Sequence, residues 1–183
     1  MRLETERLVL RKPEAADFDA YLEMWSDPEV VRYLGGNVAD ATETAAGIER
    51  MQQHWERHGL GLFTVVRKED QRIVGRTGFL LWDAEGWVNA LREELDGPLE
   101  TEVGWTVASA FWSRGYATEA AIACRDLALG ELGKDRLISL IAQGNVPSVR
   151  VAEKIGETLE REDIGGPFKR RVDLYSLGKR PAR

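Results

Sequence analysis

Apolar and polar residues alternate along this chain with the periods of strand and helix, and the points where the period changes mark out the elements. Residues 7–12 alternate briefly as a strand, and Pro13 introduces a stretch in which Phe18, Leu22 and Trp25 recur at helical spacing. Asp27-Pro28 supplies an N-cap with proline at the first helical position, and Gly35-Gly36 ends the short turn that follows. A second helix is predicted from near Asp40, with Ile48, Met51 and Trp55 on one face and Gly59 as its stop. Residues 62–66 and 72–82, joined by polar residues 68–71, read as a hairpin.

Residues 83–98 mix Gly, Asp and Glu with two apolar pairs, and a connection of this length and irregularity reads as a substrate loop or as a passive insertion. TEVGWTV, residues 101–107, is the next strand, followed by the loop ASAFWSR and an alanine-rich helix to about Leu129. RLISLIAQ, residues 136–143, has apolar residues on both faces and reads as a buried strand. Asn145 to Ser148 then caps a helix that runs through Ile155 and closes at Gly156. A turn at residues 165–167 precedes a last strand near residues 171–177. The order β α α β β β α β α β β predicts an α/β domain with one mixed sheet and helices on its faces.

At 183 residues this is one domain with a substantial core. A formal charge of -6, with Lys and Arg scattered, argues against a nucleic-acid footprint, so any phosphate site must be built locally. One cysteine, Cys124, excludes an internal disulfide, and the first residues hold no apolar signal core, which predicts a cytoplasmic protein. No apolar run approaches the ~20 residues of a membrane helix.

Three patterns imitate chemistry. HWERH, residues 54–58, spaces two histidines at i and i+4, but Glu56 fits neither zinc-protease pattern and no third ligand is evident, so it reads as a solvated helix face with no metal. GLGLFT at Gly59 precedes a strand instead of following one, and so fails as a dinucleotide turn. Cys124, inside an alanine-rich helix, reads as a small buried hydrophobe.

WSRGYATEAA, residues 112–121, is more specific. A helix N-terminus leaves amides unpaired and carries partial positive charge. Around Ser113, Arg114, Gly115, Tyr116, Ala117 and Thr118 the amides can converge on a diphosphate; Gly115 leaves room for close approach, Ala117 keeps the first turn thin and Arg114 adds charge. A tight turn alone would also account for the small residues. Downstream, NVPSVRVAEKIG places Ser148 three positions after Asn145, which a capped helix explains without excluding a second role.

Together, TEVGWTV, WSRGYATEA, RLISLIAQ and NVPSVRVAEKIG resemble the GNAT superfamily of acetyl-CoA-dependent N-acyltransferases. TERLVLR with Asp17, DPEVVRYL and RRVDLYSL resemble its RimJ/RimL-like branch of ribosomal-protein and peptide N-acetyltransferases, over nearly the whole chain. The family's phosphate motif is Gln/Arg-x-x-Gly-x-Gly/Ala; Gly115 and Ala117 match it, and Trp112 stands where Gln or Arg is usual. The resemblance implies a single-domain, largely antiparallel sheet with helices on its flanks and central strands splayed around the pantetheine arm of acetyl-CoA. The arm would pair with backbone near Trp105 to Val107, the diphosphate would rest on residues 113–118, Asn145 would hydrogen-bond the arm, and Ser148 would lie near the thioester sulfur.

The implied reaction is direct attack of a primary amine on the thioester, the acceptor being a protein N-terminus or a small amine. Deprotonating a lysine at pH 7 costs about 4.6 kcal/mol, whereas an α-amine costs about 1. Glu102 is the visible base, acting through water, or else a structural carboxylate. The Val107 amide would polarise the carbonyl, and Ser148 would orient the departing thiolate or simply hold the cofactor. A non-catalytic CoA-binding domain on the same fold is the alternative. Exposed tryptophans in the loop at residues 83–98 would favour a homodimer.

Overall fold

Strands buried on both faces need a helical layer on each side, and the central strands of this chain are of that kind. The computed structural model describes residues 1–91, 95, 99–166, 168 and 170–178. Its strands are β1 (Arg2–Glu4), β2 (Leu8–Arg11), β3 (Leu62–Arg67), β4 (Ile73–Asp83), β5 (Leu99–Val107), β6 (Arg136–Ala142), β7 (Thr158–Arg161) and β8 (Val172–Gly178). Its helices are α1 (Phe18–Ser26), α2 (Pro28–Val31), α3 (Ala41–His58), α4 (Tyr116–Leu129) and α5 (Val146–Lys154). They form a mixed α/β domain around one eight-stranded sheet of order β1-β2-β3-β4-β5-β6-β8-β7.

Neighbouring strands are antiparallel except β5 and β6, which run parallel and share one register pair, Glu102 with Ile138. Beyond that pair the two strands part. On one face Phe79, Val103 and Leu137 pack against Ala120, Ala121, Cys124 and Ala128 of α4, whose small side chains let the helix lie close to the sheet. On the other, Leu62 meets Tyr21, Met24 and Trp25 of α1 with Ile48 and Met51 of α3.

The predicted caps form. Asp40 accepts from the Glu43 amide at 2.8 Å in a reciprocal capping box, and Gly59 at φ +67° closes α3 in the left-handed conformation. Asp27 accepts from the Glu29 amide at 2.9 Å. A buried network fastens β2 to α1: Asp17, 1% exposed, accepts from Arg11 at 2.5 Å and from Thr64 at 2.8 Å.

Three expectations need correction. The first strand is Leu8–Arg11, and a preceding strand, β1, pairs with it although it is too short and polar to show a period. The predicted order ends in two strands, as observed, but the pattern locates only the last; the other is β7, which carries no burial pattern because all four of its residues are exposed. His54 does not lie on a solvated face: it is 1% exposed, its Nδ1 lies 2.9 Å from the Leu60 carbonyl, and burial pushes its pKa down to about 4. Cys124 is fully buried as expected, its thiol pushed up to about 12 by burial.

Candidate active site

The parting of β5 from β6 leaves a sheet interior without ladder partners, and the chain fills it with polar side chains. Glu102 sits at the last paired position. Its Oε2 accepts from the Trp82 indole at 2.6 Å and its Oε1 from the Leu140 amide at 3.4 Å. Burial pushes the Glu102 carboxyl up to about 7, against the Trp82 and Leu140 hydrogen bonds and the nearby Arg76 charge. A carboxyl in that range is half ionised at neutral pH and accepts a proton far more readily than an ordinary glutamate.

Around it lies a cleft of about 120 Å³, whose walls include Tyr33, Leu80, Arg76, Trp105, Asn145 and Ser148. On one wall the Tyr33 hydroxyl donates to the Gly144 carbonyl at 3.2 Å. The Ala108 amide donates to Val74 at 2.9 Å across β4. By strand alternation the backbone groups of Trp105 and Val107 therefore point the other way, into the splay.

After a single 3-10 turn at Ser109–Phe111, the chain reaches the start of α4 through Ser113 at φ +60° and Gly115 at φ +81°. Among the described residues, the amides of Ser113, Arg114, Gly115, Tyr116, Ala117 and Thr118 have no backbone acceptor and no side-chain cap. These unpaired donors face solvent at a helix N-terminus, the arrangement that receives phosphate oxygens. The turn is braced from behind. Glu119 accepts from the Thr5 hydroxyl at 2.5 Å and from the Arg7 amide at 2.9 Å, while Arg7 also donates to the Arg114 carbonyl at 3.0 Å. A larger open depression of about 1050 Å³ runs from Gly115 along the outer face of α4, but it reaches none of the side chains at the splay.

The family model described as an acetyltransferase (GNAT) domain matches residues 7–158. The chain belongs to the GNAT acetyltransferase family. It is 27% identical to the uncharacterized N-acetyltransferase p20 of Bacillus licheniformis, over 97% of this chain and 96% of p20. An acetyltransferase from Agrobacterium tumefaciens superposes with a TM-score of 0.77 at 30% identity, over 98% of this chain and 95% of that one. RimL, a ribosomal alpha-N-protein acetyltransferase in complex with coenzyme A, shares the fold at a TM-score of 0.77 and 13% identity, over 97% of this chain and 98% of RimL.

In this GNAT acetyltransferase, Asn145 uses its side-chain oxygen to accept from the Ser148 amide at 3.4 Å, so its own amide group is what remains for a ligand. Ser148 shares the cleft with Glu102. Arg114 and Ser113 are exposed at the turn, and Tyr116 packs beneath it with Arg7 over its ring, 4.8 Å from the centroid. Trp112 is 46% exposed and donates to the Val107 carbonyl at 2.7 Å, tying the turn to the end of β5. Trp87 is buried, so the argument for a homodimer from exposed loop tryptophans loses its premise. Residues 92–94 and 96–98 of that loop lie outside the described residues. Among the described residues no three His, Cys, Asp or Glu side chains group as metal ligands, and no helix is long and apolar enough to cross a membrane.

Arg76, Trp82 and Tyr33 were not among the sequence candidates. Arg76 carried a signal: it is the single charge inside the otherwise apolar or small run IVGRTGFLLW. Burial lowers the Arg76 pKa while Tyr21 and Glu102 hold it up, and its guanidinium lies over the Trp25 ring at 5.2 Å.

Proposed function

We propose that this GNAT acetyltransferase transfers acetyl from acetyl-CoA to the primary amine of a small molecule by direct attack, with Glu102 as the base. The observation that carries the reading is a buried carboxyl of raised pKa at the apex of the β5–β6 splay, in the same cleft as Ser148. The diphosphate rests on the amides of residues 113–118, and the open edge of β5 at Trp105 and Val107 pairs with the pantetheine arm. A helix dipole contributes at most about 2 kcal/mol, and micromolar affinity needs about 8. Several charge-assisted amide bonds of roughly 1.5 to 3 kcal/mol each supply the difference after ordering costs.

Glu102 removes the proton of the incoming ammonium, directly or through one water, and the Val107 amide stabilises the carbonyl oxygen as charge develops on it. Asn145 holds the arm, and Ser148 lies at the sulfur end. The small volume of the cleft, about 120 Å³, supports a small acceptor over a folded protein surface. A base near pH 7 supports an amine of modest basicity, because a lysine-like amine adds about 4.6 kcal/mol at pH 7. The RimJ/RimL-like pattern in TERLVLR keeps a peptide α-amine as the competing acceptor within the same reading.

The experiment mixes protein, acetyl-CoA and a panel of small amines and N-terminal peptides, and follows free thiol. Amine-dependent thiol release with small amines is expected. Binding of acetyl-CoA without release on any amine would favour a non-catalytic CoA-binding domain, and release with peptides alone would reassign the acceptor.

A further inference from the structure

Glu157 holds a buried carboxyl that the reaction described above does not use. It follows Gly156, at φ +93°, where the chain leaves α5, and its amide donates to the Ala152 carbonyl at 2.9 Å, which turns the side chain beneath β6. The residue is 2% exposed, and neither carboxyl oxygen has a hydrogen bond of good geometry. An unpaired buried polar group of this kind costs about 1 to 3 kcal/mol unless it has a task or a partner.

Its carboxyl faces the hydroxyl of Ser139. Ser139 is 2% exposed, donates to the Val103 carbonyl at 2.8 Å and lines the cleft at the splay. By alternation Ser139 shares the face of Leu137, the face covered by α4, whereas Glu102, next to Val103, points to the other. The two carboxyls thus approach the splay from opposite sides of the sheet, Glu102 through the Leu140 amide and Glu157 through Ser139.

The other charges near Glu157 are already engaged. Arg136 of β6 pairs with Glu100 of β5 at 3.0 Å and with Glu160 of β7 at 2.8 Å. Arg125 of α4 donates to the Ile155 carbonyl at 3.2 Å and pairs with Asp126. Burial pushes Glu157 up to about 8, the Glu102 charge adds to the rise, and Ser139 and Arg136 oppose it. The pair titrates in coupled steps, and burial favours the protonated form of Glu157 at neutral pH.

We propose that Glu157 is a positioning residue that supplies the leaving-group proton through Ser139, from behind the splay on the side opposite the base. This rests on the acetyl-transfer reading. As the C–S bond breaks, the Ser139 hydroxyl turns from the Val103 carbonyl and passes its proton to the released sulfur to form S–H. The Glu157 proton moves onto the Ser139 oxygen, and the Glu157 carboxylate is reprotonated from solvent before the next turnover.

Glu157→Gln preserves shape and neutrality and so should fold. Its expected effects are a kcat at least tenfold lower at pH 7, acetyl-CoA affinity unchanged, and loss of the wild-type fall in kcat above pH about 8. Ser139→Ala should do the same, and the double variant should be no worse than either single one. The indole N–H resonance of Trp82, bonded to Glu102, gives a readout apart from turnover: two titration steps in the wild type, one in Glu157→Gln. Wild-type kcat and an unaltered basic limb in Glu157→Gln overturn this proposal alone. Absence of amine-dependent thiol release from the wild type overturns it together with the acetyl-transfer reading.

Discussion

The turn at residues 113–118 and the splay between β5 and β6 solve opposite electrostatic problems. The turn presents backbone amides to solvent, where Ser113, Arg114 and Gly115 are exposed and no side chain needs an unusual proton affinity. The splay presents side chains in a dry interior, where Glu102 is 8% exposed and burial moves its pKa. On the proposed reading, affinity in the first region depends on backbone shape, and reactivity in the second depends on desolvation. Damage to one should therefore leave the other's readout intact.

The largest effect is expected from Gly115→Val. Gly115 sits at φ +81°, where a β-branched residue is strained by about 1 to 3 kcal/mol, and an added Cβ would come 3.4 Å from the Arg7 guanidinium. With several amides misaimed at once, acetyl-CoA affinity by calorimetry should fall at least ~100-fold. The Trp82 indole titration should stay as in the wild type.

Next in size is Glu102→Gln, expected to lower kcat about 100-fold while leaving acetyl-CoA affinity within a factor of two. The carboxylate is the active form, so wild-type kcat/KM should rise as pH increases through about 7, ahead of the fall above about 8 assigned to Glu157, and the variant's profile should lose that rise. Trp82→Phe is a subtler test. It deletes a 2.6 Å hydrogen bond that favours the ionised carboxyl, so the rise should move upward by about one pH unit.

The smallest effect is on stability. Glu102 and Glu157 both have folded pKa values raised above 4.5, so the folded protein binds more protons than the unfolded chain between pH about 5 and 8. Stability should therefore decline as pH rises through that window, read as a falling Tm. Glu102→Gln and Glu157→Gln should each flatten the decline, whereas Gly115→Val should not alter its slope.

Both regions were readable in the chain, for different reasons and to different depths. The turn was visible because its chemistry is local: a glycine and an alanine at fixed spacing where an amphipathic helix begins. Glu102 was visible as the acidic residue on the strand TEVGWTV, but its depth was not, since burial is set by residues remote in sequence, including Trp82 and Leu140. Caps such as Asp40 and Gly59 were legible because they act within one helical turn. The position of strand β7 was not, because it has no buried face and exists only through pairing with β8. His54 was misread because its i+4 partner suggested a shared surface, whereas the ring turns inward toward Leu60. Thr5 and Arg7 gave no local sign that they would brace a helix more than a hundred residues away.

The single register pair between Glu102 and Ile138 joins five strands, β1 to β5, to three, β6 to β8. Mechanically this is a book with two covers, stitched once in the backbone ladder and bound along the spine by α4, which packs against both. The smaller cover, together with α5, is connected in sequence and falls at the end of the chain. Cut the chain in the α4–β6 connection and the two fragments should reassemble when mixed, because the stitch is the very place where the intact molecule already tolerates separation.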